Sequence, residues 1–225
     1  MGRHSGAGRR REDRTHVKVV LLHGWPVSER VWVSQVDVLR NAGFDVVAPL
    51  LYGRGPSIDD WAAQLLREMD GPLVPVGASM GGYCALALAR RAPERVVGMV
   101  LVGSRADADS FDRRRMRQET IAELGAGHRP ALADADADLQ HLALAQEAMR
   151  DRLDLTGVAA SFGGPLLVCV GDADELVSVD EARALADGAL DGRLEVFPGA
   201  GHFVAVDQPD RFNEVLLEFL SQWKT

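Results

Sequence analysis

Short apolar runs alternate along this chain with longer stretches of helical period, and that rhythm limits the fold more than any other feature. The runs are VKVVLL (17–22), FDVVA (44–48), LVPVG (73–77), VVGMVLV (96–102), PLLVCV (165–170) and RLEVF (193–197). They are rich in Val and Leu and show little apolar–polar alternation, as strands do when helices cover both faces of a sheet. Between them the pattern predicts helices over about 31–41, 58–69, 80–91, 179–189 and 208–222. Strands alternating with helices imply a mostly parallel sheet wound on both sides, an α/β fold. Residues 105–160 break the rhythm with helical composition and no strand. They are expected to form a short helical cap inserted into a core of residues 17–104 and 161–225.

Charge narrows the function classes. The 225 residues carry a net charge of −8, yet residues 1–16 hold five arginines against two acids. That segment reads as a disordered basic tail of +3, which leaves −11 on the remainder. An acidic body argues against nucleic acid or an anionic membrane as partner, since both require basic surface. No stretch approaches the 18 apolar residues of a membrane-spanning helix, and the tail lacks the apolar core of a signal peptide. Cys84 and Cys169 fall in a predicted helix and a predicted strand, so they read as free buried thiols. The expected setting is cytoplasmic, with a small-molecule substrate as partner; the pattern does not specify an oligomeric state.

Two motifs fail on inspection. DADAD (134–138) has acids at positions 1, 3 and 5 of a calcium loop, but Leu139 and Ala145 stand where Gly and Glu are required. GRGPS (53–57) lacks the third glycine of a dinucleotide fingerprint. There is no P-loop lysine, C-x-x-C or H-E-x-x-H, so no cofactor and no metal are expected.

One serine stands out. In VGASMGG (76–82) a strand ends, the chain turns and a helix begins, and Gly77, Ser79 and Gly81 fit G-x-S-x-G. The flanking glycines suit a turn in which strand and helix backbones come too close for side chains. The serine is expected in a strained conformation costing about 1–3 kcal/mol, with its Oγ raised above the sheet. The Met80 N–H then points towards developing negative charge at the helix start. A serine nucleophile needs a base, itself held by a carboxylate, in the chain order serine, acid, histidine. Asp172 and Asp174 follow a strand in VGDADELV, and His202 follows the last strand in FPGAGHFV. Both segments should reach the carboxyl edge of the sheet, where ligands bind in open α/β folds. His4, His16, His128 and His141 lie in the tail or the insertion and read as surface residues.

With LLHGWP, PLLYGRGPS, VGASMGGYCALALA, VGDADELV and FPGAGHFVAVDQPDRF, the chain resembles the α/β-hydrolase superfamily over about residues 17–223. It is similar there to small esterases and enol-lactone hydrolases. The resemblance implies a triad of Ser79, Asp174 and His202, because the family's acid follows its glycine by three residues. It implies that the Trp25 and Met80 backbone N–H groups form the oxyanion hole, and that His23 is structural. Relatives usually have two antiparallel strands before the first strand seen here, where this sequence shows only the charged tail, so six strands in the order 2-1-3-4-5-6 are expected, FDVVA at an edge. Leu50 and Arg54 replace residues that are often Asp and His, so local loop bonding should differ.

The implied activity is hydrolysis of a carboxylic ester, thioester or lactone through an acyl-enzyme. The same triad also serves C–C bond hydrolysis, acyl transfer and perhydrolysis, and the same fold serves non-catalytic ligand sensing. A serine at position 79 disfavours dehalogenase and epoxide hydrolase chemistry, which places a carboxylate there. In SFDRRRMRQETIAEL (110–124), Phe111, Met116 and Ile121 suggest a helix packing an apolar face over the site. The alternative is an arginine reaching inward towards an acidic substrate group.

Overall fold

The computed structural model describes residues 17–224; the basic tail predicted over 1–16 lies outside them. Strands β1 (Lys18–Leu22), β2 (Asp45–Val47), β3 (Leu73–Ala78), β4 (Met99–Val102), β5 (Leu166–Gly171) and β6 (Gly192–Phe197) form one sheet. Every pairing is parallel and the order is β2-β1-β3-β4-β5-β6, with the FDVVA strand at an edge as expected. The helices are α1 (Val33–Asn41), α2 (Ile58–Glu68), α3 (Met80–Arg91), α4 (Phe111–Gly125), α5 (Leu139–Arg150), α6 (Thr156–Ser161), α7 (Val179–Asp187), α8 (Val204–Asp207) and α9 (Pro209–Leu220).

The missing alternation in the strands has its cause in two apolar cores. Val20, Leu22, Leu101, Val168 and Val170 face one core with α2, α3 and α7, while Val19, Leu21, Val100, Leu167 and Cys169 face the other with α1 and α9. Successive strand residues point to opposite faces, so both sets must be apolar. On α2, Ile58, Trp61, Ala62 and Leu65 recur at helical spacing and are buried. On α3 every residue from Met80 to Ala89 is buried, because the sheet covers one side and α2 and α6 pack on others. The strand expected over 96–102 is shorter: Val96 makes only an isolated bridge to Leu73 before β4 begins. Cys84 and Cys169 are buried free thiols, and burial pushes both up.

Local chemistry starts and stops these elements. Ser57, Ser110, Asp138 and Ser178 accept hydrogen bonds from first-turn N–H groups of α2, α4, α5 and α7. Ser178 and Glu181 form a reciprocal capping box. In the loop before α2, Arg54 donates to the Leu50 carbonyl at 2.5 Å and to both Glu68 oxygens at 2.7 and 2.9 Å. The two residues that depart from the family's usual pair are thus bonded through a backbone oxygen instead.

Helices α4, α5 and α6 follow one another between β4 and β5, with α4 packed on α5. On α4 the half-buried positions are Arg113, Arg117, Thr120 and Ile121, with Leu124 buried, whereas Phe111 is 80% and Met116 57% exposed. The inward face carries Arg113, Arg117 and Thr120 beside the expected Ile121; Met116, though exposed, lines the cavity that holds Ser79, and Phe111 faces solvent. Its anchor is Asp109, whose side chain is wholly buried against Arg117 and, at 2.5 Å, against Arg152 Nη1. Arg152 also donates to the Met149 carbonyl at 2.9 Å and the Asp107 carbonyl at 2.8 Å. Two cations around one buried carboxylate thus accompany the apolar contact that the sequence suggested.

Breaking one member of a buried ion pair strands the other without water, at a cost of about 3–5 kcal/mol. Asp109→Ala is expected to lower unfolding stability by that amount in urea titrations. An unchanged midpoint and slope would show that the cluster contributes nothing to stability.

Candidate active site

The turn between β3 and α3 holds Ser79 at φ 49°, ψ −111°, and among the described residues no other non-glycine has a positive φ. Such a conformation costs about 1–3 kcal/mol and persists only where its surroundings enforce it. The surroundings here are backbone: a Cβ at Gly77 would overlap Gly81, and a Cβ at Gly81 would overlap the Leu22 carbonyl. The Ser79 N–H donates to the Val102 carbonyl at 2.8 Å, and the Ser79 carbonyl accepts from the Ser104 hydroxyl at 2.8 Å. Ser104 is buried, and sequence reading gave no reason to single it out.

His202 lies between β6 and α8, and Asp174 follows β5. Their contact is His202 Nδ1 to Asp174 Oδ2, 2.9 Å, with the Asp174 side chain fully buried. The other carboxylate oxygen accepts from the Leu176 and Val177 N–H groups at 2.8 and 3.1 Å. Burial acts to raise the Asp174 carboxyl, but the hydrogen bond and charge of His202, with those two N–H groups, outweigh it and hold the group below its ordinary value. Asp172 points elsewhere and accepts from the Gly199 N–H at 2.6 Å. With Nδ1–H donating to Asp174, His202 presents Nε2 as an acceptor, and that buried atom makes no hydrogen bond to any described residue. Gly103 was also missed in the sequence. It follows β4 at φ 52°, and a Cβ there would stand 3.0–3.1 Å from the His202 carbonyl, His202 Nδ1 and Asp174 Oδ2.

Ser79, His202, Asp174 and Trp25 line one cavity of about 550 Å³. Trp25 comes from the loop after β1, and its indole N–H donates to the Leu142 carbonyl of α5 at 3.2 Å. Met80 is the first residue of α3, and its side chain is buried beneath the turn. Of the expected oxyanion pair, Trp25 thus lies in the loop after β1 and lines the cavity with Ser79, while Met80 directly follows Ser79 at the start of α3. Among the described residues no three His, Cys, Asp or Glu side chains could hold a metal ion, and no helix is long and apolar enough to cross a membrane.

Residues 19–215 match the alpha/beta hydrolase family. The chain belongs to this family. A pimeloyl-acyl-carrier-protein methyl ester esterase from Aromatoleum aromaticum is 41% identical over 92 residues, which span 38% of this chain and 36% of that enzyme. A 2-hydroxy-6-oxononadienedioate/2-hydroxy-6-oxononatrienedioate hydrolase from Paraburkholderia phymatum is 29% identical over 91% of this chain and 87% of its own. The solved structure of a thermophilic esterase from Thermogutta terrifontis superposes with a TM-score of 0.84, at 26% identity over 94% of this chain and 92% of its own.

In this α/β-hydrolase the arginines of the cavity wall come paired. Arg105 meets Glu181 at 2.7 Å, Arg113 meets Asp107 at 3.4 Å and Glu181 at 3.5 Å, and Arg117 meets Asp109. Three arginines reach the wall instead of one, each already facing an acid.

His23 is the histidine nearest to Trp25 in sequence, and both its nitrogens are occupied. Its Nδ1–H donates to the Gly24 carbonyl at 2.8 Å, and its Nε2 accepts from the Leu51 N–H at 2.9 Å. The ring thereby ties the β1 loop to the loop after β2. Burial, the dominant influence, lowers His23 to about 4 from its ordinary 6.5. Below pH 6.5 the unfolded chain takes up a proton that the folded chain refuses until about pH 4. Stability is therefore lost as pH falls through that window, by about 3 kcal/mol from this group. Urea unfolding of the native chain and of His23→Gln at pH 4.5, 5.5 and 7 should show a smaller acid loss in the variant. Equal losses would remove His23 as the cause.

Proposed function

We propose that this α/β-hydrolase is a serine esterase, cleaving a carboxylic ester, thioester or lactone of a small molecule through an acyl-enzyme. One observation carries the reading: a serine held at positive φ shares a cavity with a histidine whose Nδ1 is engaged by a buried carboxylate. His202 Nε2 removes the Ser79 proton while Oγ attacks the carbonyl carbon, and the backbone N–H groups of Trp25 and Met80 receive the oxyanion. The imidazolium then protonates the leaving alcohol, thiol or enol. In the second half His202 takes a proton from water, the hydroxide attacks the acyl carbon, and Ser79 leaves with its proton restored. Asp174 stays ionised at neutral pH, holds the Nδ1–H tautomer and offsets the imidazolium charge.

No cofactor enters this chemistry. Residues 105–160 act as a short cap over the core of 17–104 and 161–225, and the wide cavity suits small esters. Two buried free thiols fit a reducing, cytoplasmic setting. The ester reading also draws on the methyl ester esterase and the thermophilic esterase to which the chain is similar.

Carbon–carbon bond hydrolysis on the same triad is the second reading, favoured by the similarity to the 2-hydroxy-6-oxononadienedioate hydrolase. A higher kcat/KM on that dienedioate than on any ester, thioester or lactone would favour it.

Ser79→Ala should reduce turnover of p-nitrophenyl acetate and butyrate by about 10⁴-fold or more, with unfolding stability nearly unchanged. Asp174→Asn should cost about 10⁴-fold in kcat through loss of the correct histidine tautomer. Undiminished turnover in folded Ser79→Ala rejects the assignment.

A further inference from the structure

A second cavity lies behind the wall of the first. It measures about 60 Å³; Ile58, Leu86, Ala87, Leu153 and Leu155 give it apolar surface, and charged side chains, Asp59, Arg90 and Asp151 among them, also line it. That is room for about four water-sized groups. Tyr83 and Arg105 line both cavities, whereas Arg152 lines only the smaller one. Tyr83 stands one turn of α3 beyond Ser79, nearly buried, with the Arg152 guanidinium 4.0 Å from its ring centroid. A cation over a ring face is attractive, most of all where both groups are withdrawn from water. Arg152 cannot easily retreat, since Asp109 and the Met149 and Asp107 carbonyls hold it. The phenol ring is thus clamped by Arg152 between the Ser79 cavity and the smaller one.

Building on the esterase reading above, we propose that Tyr83 is the partition that limits substrate chain length, and that the cavity behind it is a latent site for an apolar alkyl tail. With the ring clamped, a tail longer than the front cavity accepts must turn towards solvent or the arginine-lined wall and leave its methylenes wet. Without the ring, the tail gains apolar lining from Leu86, Ala87 and Leu155. Arg152, left without its ring partner, remains paired to Asp109 at the edge of the space. The tail belongs to either the acyl or the alcohol half of the ester, and two substrate series separate these sources.

The experiment compares kcat/KM for p-nitrophenyl octanoate over butyrate, and for octyl over butyl acetate, in the native chain and in Tyr83→Ala, Tyr83→Leu and Tyr83→Phe. Each buried methylene contributes to the ratio, so Tyr83→Ala is expected to raise it about tenfold in one series, the series identifying which half carries the tail. Tyr83→Leu, which keeps apolar bulk on α3, is expected to raise it about threefold and serves if the alanine variant does not fold. Tyr83→Phe keeps the native ratio, because the ring and its clamp remain. Leu153→Trp, added to the opened variant, fills the rear cavity from its exposed side and abolishes the gain. Calorimetric Kd values for octyl- over butylboronic acid read the same tail binding without turnover. Ratios within about twofold of native in both ester series and in the boronic acids, for a folded opened variant, overturn the partition. Absence of Ser79-dependent ester turnover in the native chain overturns the esterase reading instead, and calorimetric Kd values for 1-octanol over 1-butanol, which form no bond to Ser79, still decide the partition.

Discussion

The close passage of β3, α3 and the end of β1 is the constraint from which the rest of this site follows. Gly77 and Gly81 leave no space for a side chain between these backbones, and the price is a serine forced to φ 49°. Relaxing that angle would require prising the helix from the sheet, and α3 is buried along most of its length. The strain is therefore held by the same packing that forms the core. The hydroxyl-bearing residue is fixed to the central strands of the sheet, not to a loop that could drift.

Around that fixed point the other groups arrive from different carboxyl edges. Trp25 follows β1, Gly103 follows β4, Asp174 follows β5 and His202 follows β6. A parallel sheet brings these loops to one side by topology alone. Finer placement comes from hydrogen bonds that do no chemistry themselves. Ser104 holds the serine carbonyl, Leu176 and Val177 hold the aspartate, and His23 ties the Trp25 loop to its neighbour.

Helices α4–α6 obey different rules. Beside the apolar packing of Ala145, Ala148, Met149 and Ala159, they meet the site through ionic and aromatic contacts: Asp109 between two arginines, Arg152 over Tyr83, and the Trp25 indole on the Leu142 carbonyl. A helix reading based on apolar period picked Phe111, Met116 and Ile121; Ile121 is half-buried and Met116 lines the Ser79 cavity, but Phe111 is exposed and Arg113 and Arg117 share the inward face. Period finds a buried face only where burial is apolar. A face buried through paired charges looks, in a string of letters, like a surface. Gly103 and Ser104 escaped for a related reason. Each is a small residue after a strand, and its importance lies in what passes beside it, which local sequence does not record.

The sequence by itself determined the alternation of strands and helices, the serine turn and the order of candidate serine, acid and histidine along the chain, because these depend on local period, on glycine and on chain connectivity. The strand order and the edge strand came from the family resemblance. Two acids, Asp172 and Asp174, stood equal in the letters until the family resemblance separated them. Only the tertiary structure showed that one carboxylate meets His202 and the other caps Gly199. It alone paired the arginines and set Tyr83 between two cavities. Those outcomes turn on distances of a few ångströms between residues far apart in the chain. Such distances are settled by how helices and loops pack against each other in the folded protein, and no local pattern encodes them.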